Sequence, residues 1–243
     1  MLTANQVLDH LNQAWAHGTP NRDIRRAGVL VHVLDNTEAV GTPWLPCLQH
    51  DWCGRFGDRI SASIVNALQP TLFTQATAGI VLAPQAPIHC SYPTDGGSMS
   101  KLCPSGTEAY GCVPGCSSKD GTGRPAWCSH ETAWNMGGTA QIWDCAFRPE
   151  DLEAMLLHHR NERSLQYNEV IVNTASWERN LPDMVMAVFW LRTPWLTSGQ
   201  RWGGEQQARG VHSAFLERFP GATTPLVSLD TSLRNEGAFE MAR

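Results

Sequence analysis

Gly28-Val-Leu-Val-His-Val-Leu34 is a nearly continuous apolar run that stops at Asp35-Asn36. A short run that is apolar throughout, rather than alternating, predicts a strand with both faces buried. Four later segments read as strands too: Gly79-Ile-Val-Leu-Ala83, Tyr167-Asn-Glu-Val-Ile-Val172, Met184-Val-Met-Ala-Val-Phe-Trp-Leu191 and Pro225-Leu-Val-Ser-Leu229. Helical patterns lie between them. Val7, Leu8, Leu11, Ala14 and Trp15 follow the i, i+3, i+4, i+7 rule over residues 4–17, and Gly18-Thr-Pro20 stops them. Residues 58–69 are expected to form a second helix, led by Asp58 and ended by Pro70. Arg148-Pro149-Glu150-Asp151 opens a third, with Pro in the first turn and acids at the positive dipole end. Its stripe is Leu152, Met155, Leu156 and His159. The helix expected over 203–218 carries Ala208, Val211, Ala214 and Phe215 on one side. Alternating helices and buried strands predict an α/β or α+β fold: a single layered domain over 1–243, its mixed sheet flanked by helices.

Composition excludes several classes. The 243 residues are 42% hydrophobic, which rules out a disordered chain. The formal charge is −5 and no basic stripe appears, so no nucleic-acid partner is expected. The longest apolar run, Met184–Leu191, is far shorter than the roughly 20 residues that span a bilayer. The start, Met1 to His10, lacks a basic n-region and a continuous apolar run, so export would make this a processed chain.

All eight cysteines lie between Cys47 and Cys145. An even number at this density predicts disulfides joining Cys47, Cys53, Cys90, Cys103, Cys112, Cys116, Cys128 and Cys145 in an oxidising compartment. The pairing stays open. From 84 to 146 Gly, Pro, Ser and Cys dominate and no period persists, so this stretch is read as a disulfide-stapled loop insertion. The rival reading is zinc, held by Cys112 and Cys116 with Cys103, Cys128, His89 or His130; paired CxxC knuckles are missing. Metal and cofactor are otherwise unassigned.

The candidate chemistry is carboxylate acid/base work. Asp35-Asn36, Asn173 and Asp230 fall where three expected strands end, which is where open parallel sheets bind ligands. The bland alternative is that Asp and Asn end strands because they make turns. Glu169 lies inside a strand, sharing a face with Ile171 and Asn173, while Asn168, Val170 and Val172 share the other. A carboxyl desolvated there could donate a proton. Asp95 is a further helper, and His32 and His50 are additional candidates. His158 and Glu162 stand one turn apart on the third helix, and the bland reading is a polar helix surface.

Three resemblances attach to particular residues. Cys47-Leu-Gln-His50-Asp51-Trp-Cys53 resembles the active-site stretch of secreted phospholipases A2, which implies His50 as base and Asp51 as calcium ligand. The glycine-rich calcium loop of that family is missing. Ser61-Ala-Ser63 with Tyr167-Asn-Glu169 resembles the serine and glutamate strands of secreted ADP-ribosyltransferases. Here His32 stands where those enzymes carry an arginine, and Tyr167 where they carry Glu or Gln. Trp44-Leu-Pro-Cys47, Trp52-Cys53, Ser61-Ala-Ser-Ile-Val65, Cys90-Ser-Tyr92, Asp95-Gly-Gly97 and Tyr167-Asn-Glu169 together resemble cysteine-rich proteins of unicellular algae, with no activity attached.

These observations lead to an exported or lumenal enzyme, a hydrolase or transferase for which carbohydrate is one candidate substrate class, with Trp side chains as a platform. The alternative is a non-catalytic lumenal or extracellular subunit that docks on a larger assembly through its Trp-rich, Cys-rich segment.

Overall fold

The computed structural model describes residues 2–34, 59–72, 77–92, 147, 149–162, 167–173, 177–194 and 196–242. Helix α1 (Ala4–His17) opens with a capping box: Gln6 N donates to Thr3 Oγ1, and Thr3 N donates to Gln6 Oε1 at 2.9 Å. A short α2 (Ile24–Ala27) feeds strand β1 (Val29–Val33). Strands β2 (Arg59–Val65), β3 (Ala78–Leu82) and β4 (Ile88–Tyr92) follow. After a 3₁₀ turn at Pro149–Asp151 come α3 (Leu152–Glu162), β5 (Glu169–Asn173), α4 (Trp177–Met184) and β6 (Val185–Leu191). The chain closes with α5 (Ser198–Arg218), β7 (Leu226–Leu229) and β8 (Phe239–Met241).

The described strands form one mixed sheet in the order β4-β5-β2-β1-β3-β6-β7-β8. The β6–β7 pair is parallel and the other pairs are antiparallel. Strands β1, β5, β6 and β7 therefore run in one direction. Helices cover both faces. On one, Leu30, Ile64, Ile80, Val170 and Val188 pack with Leu152 and Met155 of α3 and with Val211 and Phe215 of α5. On the other, Val29, Val31, Val81, Phe189 and Val227 pack with Leu11 and Trp15 of α1. Covering both faces makes the strands continuous apolar runs instead of alternating ones. The α/β reading of the sequence holds at this level.

Gly28 and Gly204 are two of the glycines that set close approaches. Gly28 sits at φ 148°, and a Cβ there would lie 2.4 Å from Val65 O. Gly204 lets α5 rest on the start of β3, since its Cβ would meet Thr77 O at 2.5 Å.

Several expectations need correction. Residues 59–65 form strand β2 and not part of a helix. Ile60, Ala62 and Ile64 enter the core while residues between them face the other way, a period of two. Within the expected insertion, Ile88–Tyr92 is a sheet strand, and Phe147 pairs back to Ser91. Helix α4 and strand β8 were not expected, and α5 begins earlier, at Ser198, behind a Thr197 capping box. Among the described residues no helix is long and apolar enough to cross a membrane.

Candidate functional site

Val170 and Val172 of β5 point into the α3–α5 layer, so Glu169 and Ile171 point the other way. Register pairs Glu169 with Tyr92 and Ile171 with Cys90. Tyr92, Cys90 and Ile171 are buried, and Glu169 is only 8% exposed. None of these four belongs to either apolar layer formed by the described residues. Carboxylates are seldom buried so far without a specific reason.

What fixes Glu169 is the residue before it. The buried Asn168 amide brackets Ile64 of β2: its Oδ1 accepts from Ile64 N at 2.9 Å, and its Nδ2 donates to Ile64 O at 2.7 Å. Ser63 Oγ donates to Asn168 O at 2.7 Å. A side-chain amide thus extends the ladder beyond the end of β5 and pins the entry to Glu169. Cys90 is the one cysteine among the described residues; its Sγ donates to Tyr92 Oη at 3.9 Å, so it is a thiol and not part of the disulfide expected for it. The other seven cysteines expected in disulfides lie outside the described residues.

His32 lies on the opposite face, in register with Ile80. Its Nδ1 is 2.6 Å from Ser61 O. A carbonyl only accepts, so Nδ1 carries the hydrogen and Nε2 presents a lone pair. Nε2 is wholly buried with no partner among the described residues, although the residue as a whole is only half-buried. Burial pushes the imidazole below its ordinary value, and the Ser61 hydrogen bond opposes this less strongly.

Asp230 behaves as a turn residue. Its Oδ1 accepts from Ser232 N at 2.9 Å and from Ser232 Oγ at 2.5 Å. Five strand steps separate β7 from β5, about 24 Å at roughly 4.8 Å each. The structure therefore does not bring Glu169, His32 and Asp230 together. Asp35, Asp95 and His50 lie outside the described residues, as do Asn36, Asp51, and the Cys103, Cys112, Cys116 and Cys128 of the zinc reading. His159, read as part of an apolar stripe, is buried on α3. Among the described residues no group of three or more His, Cys, Asp or Glu is placed to hold a metal.

The sequence reading missed a second polar centre. His10, Gln13, Ala14 and His17 of α1, with Thr19, Asn21, Arg25 and Arg26, line a cleft of about 400 Å³. The signal is in the sequence: residues 10, 13, 14 and 17 obey the helical i, i+3, i+4, i+7 spacing and form a largely polar stripe. Arg25 holds the Asp23 carboxyl below its ordinary range through a hydrogen bond. Burial, and then the Arg25 charge, push His10 below its ordinary value.

No family model matches the chain, and none of the curated proteins compared with it matches.

Proposed function

We propose that the protein is a disulfide-stabilised enzyme of an oxidising compartment, exported or lumenal, and a hydrolase or transferase in which Glu169 is the acid/base. The observation that carries this reading is the Glu169 carboxyl, 8% exposed, beside Tyr92 on a sheet face outside both apolar layers. Carboxyls withdrawn from water are the ones enzymes use to protonate a leaving oxygen. The Asn168 staple supports it by holding the approach to Glu169 rigid, as proton transfer requires. The reacting bond would be glycosidic or an ester, and the helpers Asp35, Asp95 and His50 belong to the same proposal.

The compartment rests on eight cysteines confined to Cys47–Cys145. Thiol titration of the native protein in denaturant, before and after reduction, tests this part. Few reactive thiols before reduction and eight after support it; eight before reduction overturn it. The catalytic part is tested with a panel of 4-nitrophenyl glycosides and esters. Turnover that disappears in Glu169→Gln supports it. A stable protein that turns over no member is instead the non-catalytic subunit.

A further inference from the structure

The cleft between α1 and α2 has no role in the chemistry proposed for Glu169. Two arginines and two histidines line it, and no carboxylate is among the described lining residues. Two nearby carboxylates are already held. Asp23 accepts from Arg25 Nε at 3.0 Å and Nη2 at 3.1 Å, and Glu236 lies 2.7 Å from His17 Nε2. Arg25 thereby commits two of its N–H groups, which fixes the guanidinium and leaves the remaining donors available. Arg26 has no side-chain partner among the described residues. Gln13, Thr19 and Asn21 add uncharged donors and acceptors. The volume, about 400 Å³, falls in the range of small-molecule sites.

We propose that this cleft binds a small phosphate or sulfate ester of a polyhydroxy compound, with Arg26 and Arg25 gripping the anion and Gln13, Thr19 and Asn21 meeting its hydroxyls. Guanidinium groups suit such oxyanions because their parallel N–H bonds match two oxygens at once. His10 would report occupancy. Arg25 and Arg26 face it from α2 and His17 from its own helix, while the Asp23 and Glu236 carboxylates are engaged by Arg25 and His17. A bound anion offsets the Arg25 charge that disfavours the His10 cation, so binding draws a proton onto His10.

Calorimetric titration of the intact protein with glucose 6-phosphate, sodium sulfate and glucose tests the site. Glucose 6-phosphate should bind, sulfate more weakly, and glucose not at all. Arg26→Ala should lower the affinity for the sugar phosphate about tenfold. Because Arg26 is exposed, this variant should melt at the wild-type temperature. In proton NMR the His10 ring resonance should move on binding, and its midpoint pH should rise. Glu169→Gln should bind the sugar phosphate as the wild type does, which separates this site from the catalytic proposal. An unmoved His10 resonance at about 10 mM sugar phosphate overturns the inference. So does unchanged affinity in Arg26→Ala, or binding to anionic vesicles or DNA without binding to the sugar phosphate.

Discussion

The two ends of the sheet use polar residues differently. At the β6–β7–β8 end they hold structure. Asn12 brackets Phe239 with both its amide atoms, and Trp15 Nε1 donates to Leu233 O. Thr193 and Thr231 hydroxyls meet at 3.1 Å, and Asp230 closes its own turn through Ser232. Toward the β1–β2–β5–β4 end the polar groups are placed but not all satisfied. His32 Nε2 and Ser91 Oγ are buried with no partner among the described residues, and Glu169 is buried outside both apolar layers. The orphaned His32 Nε2 and Ser91 Oγ cost stability, so a fold that retains them has some other reason to do so. The two candidate carboxylates differ as well: Asp230 closes its own turn, while Glu169 is buried on a sheet face outside both apolar layers.

Variants across the two ends sharpen that contrast. Trp15→Ala should have the largest effect. The side chain is fully buried, packs edge-on against Phe239 at 6.1 Å and donates to Leu233. Its loss should cost about 3–5 kcal/mol in urea unfolding. Asn168→Ala should cost about 2–3 kcal/mol, because Ile64 N and O both lose a partner in a buried place. Asp230→Ala should cost about 1 kcal/mol, the scale of a lost turn bond, and leave any turnover unchanged.

The acid response should be smaller and should isolate His32. Its folded imidazole lies below the 6.5 of the unfolded chain because burial penalises the cation. The unfolded state therefore takes up the proton first as pH falls. Stability is complete above pH 6.5 and declines as pH drops through 6.5 toward the depressed folded value. His10 contributes with the same sign. Urea midpoints measured across this range should decline less steeply in His32→Gln. Ser91→Ala should do least. Its hydroxyl has no partner among the described residues, so stability should stay level or rise by up to about 1 kcal/mol. A large loss would mean that Ser91 is engaged after all and would weaken the contrast.

Much of the architecture was legible because burial on both faces leaves a plain mark. Val29–Val33, Ala78–Leu82, Val185–Leu191 and Leu226–Leu229 are nearly continuous apolar strands of the kind expected, interrupted only by His32 and Ser228. Strand β2 was misread because Ile60, Ile64, Ala67 and Leu68 also satisfy i, i+4, i+7, i+8, a helical spacing. Only pairing with β1 and β5 decides for the strand. Strand β4 was hidden among prolines and a register shift after Ile88, and β8 is too short to leave a pattern. At the site, the burial of Glu169 could be inferred from Ile171 on the same face. The lone pair on His32 Nε2 could not, since the tautomer depends on a carbonyl 29 residues away in sequence. The α1–α2 cleft likewise exists only once two helices meet.

The most direct test is a paired measurement of kcat/KM and melting temperature for Glu169→Gln and Asp230→Asn, using whichever chromogenic substrate the wild type hydrolyses best. The account predicts that Glu169→Gln loses about a hundredfold or more of kcat/KM at an unchanged melting temperature, the scale of a lost general acid, while Asp230→Asn loses none. Full activity in Glu169→Gln, or an equal loss in both variants, would contradict it.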